Sequence, residues 1–289
     1  MLHRFLSSIV DGAIPGGGLV LDGEGNLYGT TRLTGLLDCD KVHGCGIVFK
    51  LSPNQDGTWA YTILYNFTDG ADGGSPTGPL IFDKAGNLYG ATSGGGNFEG
   101  ECAHSYGCGV VFRLSPNQDG SWTESTLHSF AGGTDGLEPW EGERLALDAA
   151  GNLYGTTSAG GVGNNGTVFK LAPNSDGTWT ESILYGFSQS SPADGGFPKA
   201  GVVLDNSGNL YGTTWSGGEL FYHLCNGYCG VVFKLTPNSG GTWDETVLHA
   251  FQAYGYGPIA APTLDSQGNL YGTTGSGNGN NGLVFEITP

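Results

Sequence analysis

The sequence predicts an all-β fold, a five-bladed β-propeller with four antiparallel strands per blade. Three observations carry that prediction. The phrase Gly-Asn-Leu-Tyr-Gly recurs five times, each copy holds four short apolar runs, and the two chain ends carry complementary fragments of one copy.

The repeat comes first. The consensus tyrosines are Tyr28, Tyr89, Tyr154, Tyr211 and Tyr271, spaced by 61, 65, 57 and 60 residues, so length varies only in loops. Self-similarity at such a period points to a propeller or a solenoid. In the second copy the apolar runs are Leu80–Phe82, Asn87–Thr92, Val110–Leu114 and Trp122–Phe130, here strands A to D. They are β-rich and too short for a rival helical period. Four strands per repeat is the make-up of a propeller blade. Packing on both faces explains why the strands are apolar rather than alternating.

The turns agree. Asp-x-x-Gly-Asn joins A to B (Asp83–Asn87) and Pro-Asn-x-Asp-Gly joins C to D (Pro116–Gly120). Asp and Asn cap their own turns and Gly supplies positive φ. The carboxylates and amides here also admit a calcium reading, but no loop offers six oxygens. Counting outward from a four-residue Asn-x-Asp-Gly loop sets Pro116 opposite Ser121 and Arg113 opposite Glu124. The same count pairs Lys170 with Glu181, Lys234 with Glu245 and Lys50 with Tyr61, while Glu286 replaces the base in the fifth copy.

The ends predict closure. The last copy stops after strand C, at Phe285–Pro289, and Leu2-His3-Arg4-Phe5 matches the end of strand D, as in Leu127–Phe130. Residues 1–5 are thus expected to supply the outer strand of the last blade, pairing with Leu283–Ile287. Residues 1–289 then form one domain, and the capping repeats of an open solenoid are not needed.

Composition bounds the partners. The 289 residues include 55 Gly and 13 Pro, and 27 acids against 10 bases give a net charge of −17. Phosphate backbones and anionic lipid surfaces are bound through Lys and Arg, so neither is an expected partner. No apolar run approaches the roughly 20 residues of a membrane span, and Met1–Val10 does not read as a signal peptide. A monomer without a cofactor is expected.

The wording of the repeat resembles a known family. Gly-Asn-Leu-Tyr-Gly-Thr-Thr, then Gly-Gly, then Val-Phe-Lys-Leu-x-Pro-Asn, then Leu-Tyr-x-Phe, is similar to the GloVer tandem repeat of bacterial surface or secreted proteins, over essentially the whole chain. That resemblance implies an exported, extracellular or surface-tethered protein and carries over no catalytic residue. The five-fold architecture also resembles tachylectin-like lectins and arabinanase-type glycosidases, but fold does not fix function.

The cysteines form three pairs in B-to-C loops: Cys39/Cys45, Cys102/Cys108 and Cys225/Cys229. A pair closing its own loop three times reads as disulfides of an oxidising compartment, each contributing roughly 2 kcal/mol. The alternative is metal, because His43, His104 and His223 accompany the three pairs and zinc takes thiolate and imidazole ligands. His3, His128 and His249 share one strand-D position with Tyr65 and Tyr185 and read as structural.

A site is expected where copies differ. The A-to-B and C-to-D turns are nearly constant, whereas the D-to-A and B-to-C loops vary and emerge on the other face. Trp59, Trp122, Trp179 and Trp243 are consensus packing residues; Trp140 and Trp215 break the pattern on the variable face. Near the expected channel, copy three reads Glu138-Pro139-Trp140-Glu141-Gly142-Glu143-Arg144, and Arg32 shares the repeat position of Trp215. Trp140, Trp215, Glu141, Glu143, Arg144 and Arg32 are therefore the candidate ligand contacts.

Three functional classes follow. The first is a non-catalytic exported glycan-binding module, since sugars stack on rings and hydrogen-bond to amides and carboxylates. The second is a structural or adhesive surface repeat with a protein partner. The third is a carbohydrate-active hydrolase or lyase, for which Glu141 and Glu143 would supply a carboxylate pair. No nucleophile motif, phosphate loop or dinucleotide fingerprint supports another enzyme class.

Overall fold

A computed structural model of the chain describes residues 1–6, 11–33, 45–76, 78–104, 106–139, 144–188, 194–218, 229–251, 257–275 and 282–289. Each repeat forms one antiparallel sheet, and the fold class is the expected five-bladed β-propeller. The sheets fall into two compact units, Met1–Ala131 and Gly132–Pro289.

The first unit holds two blades. Blade one runs β1 (Ala13–Leu21), β2 (Leu27–Leu33), β3 (Ile47–Pro53) and β4 (Trp59–Asn66) in spatial order. In blade two, strand A is split into β5 (Gly74–Pro76) and β6 (Ile81–Phe82), both paired with β7 (Leu88–Gly94), followed by β8 (Val110–Pro116) and β9 (Trp122–Ser129). Between these blades Tyr28, Val48, Phe67, Leu88, Phe112 and Leu114 form a buried cluster.

The second unit holds three. Blade three is β10 (Ala146–Leu147), β11 (Leu153–Thr157), β12 (Thr167–Pro173) and β13 (Trp179–Gly186); blade four is β14 (Val203–Leu204), β15 (Leu210–Thr213), β16 (Val231–Pro237) and β17 (Trp243–Ala250). Blade five has three strands among the described residues, β18 (Thr263–Leu264), β19 (Leu270–Thr274) and β20 (Leu283–Ile287). Val284 in β20 is 79% exposed, whereas the equivalent Val48, Val111, Val168 and Val232 are wholly buried.

Residues 1–6 carry no strand of the first unit, where side chains pack this segment on blade one. Phe5 packs edge-on against Phe49 at 5.3 Å, as Phe67 does on Phe112 at 5.0 Å. Within the second unit Phe187 on Phe233 and Phe251 on Phe285 repeat the contact at 5.3 and 5.2 Å. His3 stacks on Tyr61 at 4.1 Å. Phe5 on Phe49 thus repeats the contact that the phenylalanine ending strand D makes in the other blades.

The expected C–D register is off by one. Pro116 pairs with Trp122 rather than Ser121, which puts Arg113 opposite Ser125 and Glu124 opposite Leu114. The turn explains the slip. Gly120 N–H donates to the Asn117 carbonyl at 3.1 Å and Gly120 sits at φ 85°, so Asn117 faces Ser121 across a three-residue loop. This is a type I turn followed by a left-handed glycine. The same register gives Lys50 opposite Thr62, Lys170 opposite Ser182 and Lys234 opposite Thr246. A bulge then inserts one extra strand-D residue in each of the first four blades, Leu64, Leu127, Leu184 and Leu248.

With that register the strand-C base meets the strand-B tyrosine instead. Lys50, Lys170 and Lys234 lie over Tyr28, Tyr154 and Tyr211 at 5.5, 5.8 and 5.6 Å from the ring centroids. In blade five Tyr271 donates to Glu286 at 2.9 Å. Tyr28, Tyr154 and Tyr211 also donate to the A–B turn aspartate, as Tyr28 does to Asp22 at 3.0 Å. Asp22 further accepts from the Asn26 side chain and from the Glu24 and Asn26 amides. Burial raises the Asp22 pKa, but these hydrogen bonds outweigh it and bring the group to about 2. The oxygens that suggested calcium in this turn are thus occupied by their own hairpin.

Candidate functional site

The lead-in to strand A repeats one unusual backbone. Asp-Gly-x-x-Pro occurs four times, at Asp11, Asp72, Asp135 and Asp194, and the residue before proline is left-handed each time. Ile14, Ser75, Glu138 and Phe197 have φ of 53°, 53°, 56° and 52°. A side chain here is strained, and a residue before proline ordinarily prefers extended backbone. The motif glycine is required for a different reason. A Cβ on Gly73 or Gly195 would lie 2.4 Å from the Oγ1 of Thr92 or Thr214.

Hydrogen bonds hold the strained residue from both sides. Ser75 N–H donates to the Cys45 carbonyl at 2.9 Å, and Phe197 N–H to the Asn165 carbonyl at 2.6 Å. Their own carbonyls accept from the residue after strand B's two threonines or alanine-threonine: Ser158 N–H on Glu138 at 3.1 Å and Trp215 N–H on Phe197 at 3.2 Å. Ser93 reaches Ser75 through its hydroxyl at 3.3 Å. One backbone device therefore carries a different residue pair in each blade. The pairs are Ile14 with Arg32, Ser75 with Ser93, Glu138 with Ser158, and Phe197 with Trp215, while copy five has Gly257 and Gly275 at these positions.

Of the expected contacts, Trp215 and Arg32 sit at these paired positions and are half-buried. Arg144 is exposed just before β10, and its backbone approaches Gly201, where a Cβ would lie 1.9 Å from the Arg144 carbonyl oxygen. Trp140, Glu141 and Glu143 lie outside the described residues. Sequence reasoning missed Lys199, whose Nζ lies 3.9 Å from the centroid of the Trp215 ring. Burial pushes its pKa down. The sequence also missed the residue before proline, although it varies at fixed spacing inside Asp-Gly-x-x-Pro. Blade four thus presents an aromatic pair, Phe197 and Trp215, with a cation on the indole face.

Chemically this arrangement offers rings, an ammonium group and backbone amides at a loop-framed surface. Such groups suit stacking and hydrogen bonding to a polar ligand.

The loop behind it is covalently closed in blade two, where Cys102 is bonded to Cys108 with Cα atoms 5.0 Å apart. Cys45 and Cys229 are also disulfide-bonded, and Cys39 and Cys225 lie outside the described residues. A bonded sulfur is not a thiolate, so these four cysteines are not metal ligands in this form. Thiol titration of the unfolded, unreduced protein is expected to find no free thiol; a stoichiometric count would contradict the pairing.

These features define a disulfide-bearing β-propeller with blade-specific residues on a common loop scaffold. The chain belongs to the Gloeobacter/Verrucomicrobia repeat family, whose model matches residues 100–289. No curated protein matches it. Among solved structures it is similar to a glucose dehydrogenase (TM-score 0.53, 14% identity), covering 94% of this chain and 83% of that one. A polysaccharide lyase of family PL25, an ulvan lyase, gives 0.52 at 12% identity over 95% and 70%. Sucrose-6-phosphate hydrolase from Lactobacillus gasseri gives 0.51 at 13% over 90% of this chain, which spans 52% of that enzyme's length. At these identities the likeness is one of fold. None of the three is a tachylectin-like lectin, so that resemblance gains nothing from them.

Proposed function

We propose that the protein is a non-catalytic, exported glycan-binding module whose site lies on the face of the strand-A lead-ins and B-to-C loops. The observation that carries this reading is the constant, strained backbone bearing a different residue pair in each of four blades, aromatic in blade four. A purely structural position would keep one residue type, and the strain at φ 52° on Phe197 is most simply spent on displaying its ring. The ulvan lyase and the sucrose-6-phosphate hydrolase act on carbohydrates by their names, which supports a sugar ligand. The disulfide supports an oxidising compartment, and no described helix is long and apolar enough to cross a membrane.

Trp215, with Phe197 and Lys199 beside it, is the proposed platform in blade four. Arg144 contributes from the neighbouring lead-in and Arg32 is the counterpart in blade one. Trp140, Glu141 and Glu143 remain proposed contacts on the same loop face. Stacking contributes about 0.5–1.5 kcal/mol beyond buried area, so single-site binding should be weak and gain from multivalent display.

Trp215→Ala is expected to lower binding to immobilised glycans about 3- to 10-fold with little change in melting temperature. Unchanged glycan binding, or a lowered melt as the sole effect, would assign Trp215 to packing and remove the platform.

A further inference from the structure

The same Asp-Gly-x-x-Pro motif builds a second feature between neighbouring strands D. Tyr185 of β13 donates to Asp194 Oδ2 at 2.8 Å, and the facing residue on β17 is Glu245. Asp194 is only 7% exposed, and both its Oδ1 and Glu245 Oε1 are buried without a hydrogen-bond partner among the described residues. In the first unit Tyr65 of β4 donates to Asp72 Oδ2 at 3.0 Å, with Glu124 of β9 facing them. Asp72 also accepts from Thr68, and Thr126 Oγ1 donates to Glu124 Oε1 at 3.1 Å.

The bases that the expected register placed against these glutamates are elsewhere. Lys234 pairs with Thr246 and lies over Tyr211, and Arg113 pairs with Ser125. Both therefore lie on the opposite sheet face from Glu245 and Glu124. Among the described residues the titratable groups facing Glu245 are Asp194 and Tyr185, and those facing Glu124 are Asp72 and Tyr65. Blade one provides a contrast. Tyr61 replaces the glutamate, stacks on His3 and donates to the Asp11 backbone carbonyl at 3.0 Å, while His3 Nε2 and Asp11 Oδ1 are 2.9 Å apart.

We propose that each carboxyl pair, Asp194 with Glu245 and Asp72 with Glu124, holds one shared proton that ties neighbouring blades together within its unit. The glutamic acid O–H donates to the aspartate, whose other oxygen accepts from the tyrosine. Two like charges in a half-buried seam, with no cation between them among the described residues, cannot both stay ionised at low cost. Losing the proton leaves two carboxylates in a half-buried seam. Burial first, then the charge of Asp194, pushes Glu245 up to about 7; burial raises Glu124 to about 7 against the lowering hydrogen bond from Thr126, the Asp72 charge adding a lesser rise.

The sign follows. A glutamate whose folded pKa is raised contributes stability below its unfolded value near 4.5, and that contribution is lost as pH rises through about 7. The seam is thus a pH-sensitive latch that loosens on the alkaline side of neutrality.

The test is thermal melting of the full chain between about pH 5 and pH 8.5, compared with the double variant Glu124→Gln, Glu245→Gln. The expected wild-type Tm falls by about 4 °C or more beyond the fall seen in the variant, which cancels the general repulsion of a protein of charge −17. Equal slopes would overturn the proposal. So would millimolar calcium abolishing the wild-type slope without touching the variant, since a cation would then occupy the pair. Infrared spectroscopy of the wild type with isotope-labelled glutamate gives a readout that needs no variant. A protonated-carboxyl band lost across neutral pH supports the latch, and its absence at pH 6 refutes it.

Discussion

Phe112→Ala is expected to destabilise the first unit by about 3–5 kcal/mol, the range for emptying a buried aromatic position. Phe112 is wholly buried in the cluster that blade one and its own sheet share. Phe67 from the end of blade one meets its ring edge-on at 5.0 Å. On its own sheet the ring tip lies over Gly90, where a Cβ would fall 2.6 Å from Phe112 Cζ. Chemical denaturation with an unchanged slope would show the loss as a shift of midpoint. A loss below about 1 kcal/mol would mean that the interblade seam collapses around the gap and is not close-packed.

The reciprocal change is the second large effect. Gly212→Ala is expected to cost about 1–3 kcal/mol by overpacking. The built Cβ would sit 2.4 Å from Phe233 Cζ and 3.1 Å from Val202 Cγ1. Phe233 is fully buried against Phe187, so its ring cannot swing away. Gly29, Gly90 and Gly272 meet the equivalent phenylalanines at 2.8, 2.6 and 2.3 Å. The final glycine of Gly-Asn-Leu-Tyr-Gly is thus a space requirement rather than a turn. Adding Phe233→Leu should recover part of the loss, so the double variant should be more stable than the sum of the single effects predicts. Strict additivity would dissociate the glycine from the phenylalanine and leave its recurrence without this cause.

Much of the fold was legible because a repeat states each rule several times. Four β-rich runs, two turn types and the tyrosine phrase fix blades and strand order without long-range information. The C–D register was missed by one residue because Asn-x-Asp-Gly counts as four loop residues on paper. In space the asparagine returns to the ladder and the glycine alone absorbs the reversal. That single residue moved Glu124 and Glu245 from beside a base to beside an aspartate.

The site was legible in outline. Looking where copies differ found Trp215 and Arg32, because a break in consensus is visible in one chain. Phe197 and Lys199 escaped because their significance is conformational. Nothing in Gly-Phe-Pro-Lys announces a left-handed phenylalanine or a lysine folded over an indole. The shared carboxyl pairs escaped for the same reason, since each joins residues about 50 apart, such as Asp72 and Glu124, through a register that had first to be corrected.

Amide chemical-shift mapping, with the strongest ligand from a glycan array titrated into the labelled protein, tests the central claim most directly. The account predicts shifts centred on Phe197, Lys199, Trp215 and Arg144, with the A-to-B turn amides such as Asn26 and Asn209 unmoved. Shifts confined to the A-to-B and C-to-D turns, or none with any glycan at millimolar concentration, would contradict it.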